Sequence, residues 1–152
     1  MTNIDEIYDL FTWDNTDTPE EYSQREKQGL ELAKGAKNLF PFLQPFLPNG
    51  KSKSVWESCA KVIADRSDEE LVPYLSFLFE WLQDLNWPGA EIILDRLAKM
   101  PIALTEEPLK YSKLRAEKEH DEMWLLFTLL SQAMLRRLFC CQGNEEDNGK
   151  TA

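Results

Sequence analysis

A chain of 152 residues, 43% hydrophobic and 29% charged, can bury one core without disulfides or metal and is too apolar to be disordered throughout. Six glycines and few β-branched residues argue against a sandwich or barrel, which needs many short strands and turns. The formal net charge of −10 argues against nucleic acid or anionic lipid and favours a basic protein partner, the plainer alternative being that acidity serves solubility.

In chain order, Ile4, Ile7, Tyr8 and Phe11 recur at i, i+3, i+4 and i+7 and predict a short helix with one apolar face. Asn3 and Glu6 have capping-box spacing at its start. Residues 12–17 read as an acidic loop. Thr18, Pro19, Glu20 and Glu21 combine a cap, an N1 proline, first-turn acids and an N3 glutamate. They predict a helix to about Lys37, with Tyr22, Leu30, Ala33 and Ala36 facing its neighbours. Residues 40–48 carry three prolines and are expected to form a packed connector with one helical turn. An exposed turn follows at residues 49–53.

Ser54 and Glu57 have capping-box spacing, and Val55, Trp56, Cys59, Ala60 and Ile63 extend a helix to about Arg66. Ser67 and Glu70 open another. Pro73 lies too deep for that helix to run straight, so a turn should hand over near Val72 to a main helix. Its Leu71, Leu75, Leu78, Leu82 and Leu85 form a 4-3-4-3 seam. Pro88 holds Trp87 out of the α region and is expected at N1 of the next helix. Ala90, Ile93, Leu94 and Leu97 line that helix, and Pro101 ends it. Residues 105–120 are helical in propensity but charged, with a weak stripe through Leu109 and Leu114. Residues 121–139 predict a strongly apolar last helix carrying Met123, Trp124, Phe127, Leu130, Met134 and Leu138. One domain over 1–141 and a disordered acidic tail over 142–152 are expected.

The longest apolar run, residues 123–130, falls short of the ~20 residues that span a bilayer, and the N-terminus has no secretory pattern. Three cysteines give no disulfide framework: Cys59 falls in an apolar stripe, and Cys140 and Cys141 are adjacent. A reducing, cytoplasmic setting is expected.

Little in the residue inventory carries chemistry. The single histidine, His120, reads as a solvated loop residue and cannot build a zinc site with scattered cysteines. The carboxylates Asp84 and Asp95, and Asp65, Asp68, Glu69 and Glu70, are explained by capping and solvation. Asp14 to Asp17 lacks the central glycine and terminal glutamate of a calcium loop. No phosphate-binding glycine loop or nucleophile elbow occurs. Of five tryptophans, Trp56, Trp81 and Trp124 have helical spacing and read as core. Trp13 and Trp87 sit in loops beside polar residues. Candidate partner-binding residues are therefore Trp13, Asp14 and Asp17 in one loop and Asp84, Asn86 and Trp87 in another. For the second group the plainer alternative is that Asp84 and Asn86 satisfy turn donors.

Residues 67–100, with a proline opening one leucine-lined helix, Asp84 near its end and a second helix after a tight turn, resemble a HEAT-like hairpin. The segment WLQDLNWPGA (81–90), preceded by SVWESCAKVIADRSDEEL (54–71), resembles an uncharacterised bacterial family known only as a domain of unknown function. The resemblance implies a small HEAT-like or armadillo-like helical protein and no known chemistry. The expected fold is all-α, an irregular array of antiparallel helical hairpins. The expected function is a non-enzymatic protein-interaction module without cofactor or metal, in its most concrete form an immunity-type protein that neutralises a basic partner. A carboxylate- or metal-dependent enzyme and a scaffold subunit are the alternatives.

Overall fold

The structure, a computed structural model, describes residues 2–45 and 52–142, with residues 137–142 described by backbone alone. The described residues are all-α, as composition requires, with short 3₁₀ turns and no strand among them. The turn expected at residues 49–53 lies largely outside them. So do residues 143–152 of the tail and the side chains of Leu138, Cys140 and Cys141.

Helix α1, Ile4–Phe11, starts where the Asn3 side chain accepts the Asp5 amide and buries Ile7, Tyr8 and Phe11. Helix α2, Pro19–Ala33, opens on a complete capping box in which Thr18 and Glu21 satisfy each other's amides. It stops four residues before the expected Lys37 because Arg66 donates to the Ala33 and Lys34 carbonyls, at 3.4 Å for the latter. A guanidinium placed there satisfies the orphan acceptors and complements the helix dipole. A 3₁₀ turn at Phe40–Phe42 and a cis Gln44–Pro45 bond shape the described part of the proline-rich connector.

Helix α3, Trp56–Ala64, follows a 3₁₀ turn at Lys53–Val55 and has no side-chain cap. The box expected of Ser54 and Glu57 does not form, since the Ser54 hydroxyl pairs with that of Ser52 and Glu57 reaches Lys61 at 3.4 Å. The Ser67–Glu70 box does form and opens α4, Asp68–Leu71. Pro73 then sits in a 3₁₀ turn, Val72–Tyr74, before α5, Leu75–Trp81. The leucine seam is buried at Leu71, Leu75, Leu78 and Leu82, but it runs over this broken path rather than along one helix.

Helix α6, Ala90–Ala98, begins after Gly89 rather than at Pro88. Gly89 has φ +83°, and a Cβ there would stand 2.6 Å from the Ala60 Cβ and 3.1 Å from the Trp56 carbonyl oxygen. A residue with a side chain would be strained by its own backbone and would push α6 off α3. The Trp81 indole, fully buried, donates to the Pro88 carbonyl at 3.2 Å and fixes the same corner from the other side. Arg96 donates to the Arg66 carbonyl at 2.8 Å and to Asp68 at 2.6 Å, tying α6 to the α3–α4 junction.

Helix α7, Ile102–Lys118, starts three residues earlier than expected, with Pro101 as its N-cap and Pro108 inside it. Its end is a Schellman motif. The His120 amide bonds to the Glu117 carbonyl at 3.2 Å and the Asp121 amide to the Ala116 carbonyl at 3.1 Å, with His120 left-handed at φ +55°. The solvated loop histidine is thus exposed as expected, and it also occupies a position that glycine favours. Helix α8 runs Glu122–Gln142.

Packing order follows chain order at the two ends, where α1 lies on α2 and α7 on α8. In the middle, α6 packs on α3 and α8, and α5 packs on α7. One continuous cluster unites Ile7 and Phe11 of α1 with Cys59 and Ile63 of α3, Ile93 and Leu97 of α6, and Leu135 of α8.

The faces of α7 and α8 depart most from expectation. Leu114 is exposed, and the buried residues of α7 are Thr105, Ser112 and Ala116. On α8 the buried line is Trp124, Thr128, Ser131 and Leu135, while Met123, Leu130 and Met134 point outward. Small side chains allow close approach of the two helices. A helix apolar all round gives periodicity no means of choosing which side faces in.

Candidate functional site

The two groups of candidate residues have different surroundings. In the α1–α2 loop, Trp13 is 43% exposed and stands edge-on to Tyr22, ring centroids 5.1 Å apart. Asp14 Oδ1 accepts the Thr16 amide at 2.9 Å and its hydroxyl at 2.8 Å. These bonds hold the Asp14 carboxyl below the usual carboxylate range. Asp17 accepts the Asp14 amide at 2.8 Å and is ion-paired with Arg25. Both acids are therefore engaged in folding their own loop.

The second group forms a pocket. Asp84, Asn86 and Trp87 lie in the α5–α6 corner fixed by Gly89 and Trp81. Asp84 Oδ1 accepts the Asn86 amide at 2.8 Å and its side-chain amide at 3.1 Å, the Asx turn that the plainer reading anticipates. Trp87 packs edge-on against Trp56, centroids 5.8 Å apart, and Lys53 Nζ lies 5.5 Å from the Trp56 ring. The start of α8 closes this corner. Asp84, Asn86 and Trp87 line a cavity of about 300 Å³ together with Gln83, Asp121, Met123 and Phe127. Asp121 Oδ1 caps α8 by accepting the Trp124 amide at 2.9 Å. Trp13 does not line this cavity.

Gln83, Asp121, Met123 and Phe127 were not among the expected site residues. Asp121 stands two residues before the apolar run that starts at Met123, a spacing at which an N-cap can be read. Nothing local shows that this cap meets the α5–α6 corner, because the contact joins segments almost forty residues apart. Chemically, the cavity offers two carboxylates, each with one oxygen committed to a local amide, beside the apolar surfaces of Trp87, Met123 and Phe127. That arrangement suits a lysine or arginine side chain, with its stem on the apolar wall and its head at the acids.

Two other grooves differ in kind. One of about 480 Å³ between α2 and α3 is lined by charges largely paired with one another or with close neighbours: Lys34 with Glu31, Lys61 with Glu26, and Arg66 with Glu70. The other, about 910 Å³, runs between the N-terminal residues and the Phe40–Phe42 turn. Among the described residues no three His, Cys, Asp or Glu side chains gather to hold a metal ion. No helix among them is long and apolar enough to cross a membrane.

No curated protein and no protein of solved structure matches the chain. A family model, described as domain of unknown function DUF5071, matches residues 47–138. That span holds α3 to α7, most of α8 and every residue lining the α5–α6–α8 cavity, but not Trp13, Asp14 or Asp17. The tryptophans, Asx turn and glycine of residues 81–90 build the corner on which α6 and the cavity depend. The chain belongs to this family of unknown function.

Proposed function

We propose that this chain is a non-enzymatic protein-interaction module that binds a lysine- or arginine-bearing segment of a basic partner in the cavity between the α5–α6 corner and the start of α8. The observation that carries this reading is the meeting of Asp84 and Asp121 with Trp87, Met123 and Phe127 around one cavity of about 300 Å³. The net charge of −10 supports it by raising the encounter rate with a cationic partner and lowering that with nucleic acid. An immunity-type protein that neutralises a cationic toxin is the concrete form this chemistry fits best, in a HEAT-like helical array of a cytoplasmic bacterial protein.

The test uses an arginine- and lysine-rich peptide, with a glutamate-rich peptide of equal length as control, followed by tryptophan fluorescence. The D84N/D121N double variant keeps the amide-accepting oxygens and removes both charges. It should bind the basic peptide at least about tenfold more weakly and lose most of the salt dependence. Unchanged affinity in that variant refutes the proposal. Capture of a basic protein that is released at high salt would name the partner.

A further inference from the structure

The outward side of α8 has no role in the cavity beyond Met123 at its edge. Met123, Leu126, Leu129, Leu130 and Met134 are 41–56% exposed. The buried side carries Thr128 and Ser131 beside Trp124 and Leu135, so this helix leaves much of its apolar surface in solvent. Glu122, Leu126, Leu129, Ala133 and Arg136 follow one another at 4-3-4-3 spacing along the exposed side, which is the seam of a helix that packs along another helix. Contiguous apolar surface of this kind marks an interface.

We propose that this face is a self-association surface, on which a second copy of this chain lays its own α8 antiparallel to the first. Two features select that occupant. The seam is acidic at one end, Glu122, and basic at the other, Arg136, with no charge on it between them. Reversing a second copy sets Glu122 against Arg136 at both ends, as a two-fold interface requires, whereas a parallel pair would oppose like charges. The seam is also complementary in size, because reversal brings Leu126 opposite the small Ala133.

The chain's own remaining residues are poor candidates. Residues 143–152 read GNEEDNGKTA, with no large apolar side chain to cover such a face. The flanks of residues 46–51 pack through their 3₁₀ turns on α1 and α3, while α8 packs on α6 and α7. Seven of the acids lie within residues 1–21, whose helices make their main contacts with each other, with α3 and with the Lys53–Val55 turn, so that block of charge is not concentrated on the α8 face. The seam from Glu122 to Arg136 is about 21 Å long at ~1.5 Å per residue. One such face per copy is at the low end of stable interfaces and predicts a dimer that dissociates in the micromolar range.

Sedimentation equilibrium on the full chain, over about 1–300 µM, tests this against that expected range. The wild-type mass should rise from one to two chains across the series. L126E/L130E, at exposed positions, should keep its helical circular dichroism and stay monomeric, its Kd raised at least about 100-fold. E122R should weaken the dimer roughly tenfold at low salt, and E122R/R136E should restore it, a rescue only the antiparallel arrangement gives. Three results overturn the proposal: a wild type that stays monomeric throughout, leaving the face to a foreign partner; a dimer indifferent to L126E/L130E; and a charge-swapped double variant no better than E122R. None of these depends on peptide binding by the cavity.

Discussion

His120 occupies a position set by backbone geometry, the end of α7. Its φ of +55° belongs to the C′ position of a Schellman motif, which a Cβ disfavours by about 1–2 kcal/mol. His120→Gly should raise stability by about 0.5–1 kcal/mol, after the extra chain entropy of glycine is deducted, and Tm by roughly 1–3 °C. Thermal unfolding of the two proteins in one buffer decides it. A fall in Tm would mean that the imidazole makes a compensating contact. Buried ionisable groups give a second expectation, in pH. Burial holds the Cys59 thiol well above its ordinary 9.0. Burial also pushes the Tyr8 hydroxyl from 10.0 to about 12, with the neighbouring Cys59 adding to the rise. Both groups prefer to remain protonated in the fold, so their contribution is complete below pH 9 and is lost as pH rises, from about 9 upward for Cys59 and between 10 and about 12 for Tyr8. Tyr8→Phe removes the hydrogen bond to the Pro41 carbonyl and should cost about 1 kcal/mol near neutrality. It should also flatten the decline between pH 10 and 12, as urea titrations across the range would show. An unchanged slope would contradict the assignment.

Among elements, the legible parts of the fold were those written within four residues. Thr18 with Glu21, and Ser67 with Glu70, announced their helices because a capping box is complete in itself. The all-α class, the burial of Trp56, Trp81 and Trp124, and the stripe of α6 were legible for the same reason, since helical periodicity is local. What was not legible required a distant partner. Arg66 cut α2 short from thirty residues away, and Ser52 took the hydroxyl that Ser54 would have used as a cap. The α5–α6 corner was half visible. Its turn could be read from Asn86, Trp87 and Pro88, but its meeting with Asp121 and Phe127 could not, so only three residues of the cavity were anticipated. The loop of Trp13, Asp14 and Asp17 offered the same composition, yet Arg25 and Thr16 occupy its acids. The corner's dependence on Gly89 is itself testable. Gly89→Ala combines a left-handed φ with a Cβ 2.6 Å from Ala60, and should destabilise by at least about 2 kcal/mol. It should also loosen peptide binding in the cavity. A loss of unfolding free energy in denaturant titrations of less than about half that amount would show that α6 can back away at little cost.

For the whole molecule, the question is whether the family-matched span is a folding unit. The match begins at residue 47, as though α1 and α2 were an appendage. The core says otherwise. Ile7, Phe11 and Ala33 are at most 1% exposed and belong to the same cluster as Cys59, Ile63 and Leu97. The Tyr22 hydroxyl lies 3.3 Å from that of Ser58, which in turn donates to Glu26 at 2.7 Å, and Lys61 donates to Glu26 at 2.9 Å. Burial opposes the charge on Lys61, but the bond and charge of Glu26, with Glu57 behind, outweigh it and raise the ammonium above its ordinary value. A fragment starting at residue 47 would expose the side of α3 that α2 covers and remove Glu26 from both Lys61 and Ser58. It would also free Arg66 from the two carbonyls of α2. Burying Ile7, Phe11 and Phe42, all before residue 47, is worth about 1.5–3 kcal/mol each, a sum comparable to the whole stability of a domain this size, about 5–15 kcal/mol. The intact chain should therefore unfold in one cooperative transition, coincident by tryptophan fluorescence and circular dichroism. Residues 47–152 alone should show helical signal without a cooperative transition. A fragment that melts sharply near the intact Tm would make α1–α2 an accessory to the fold, and the single-core reading would have to be abandoned.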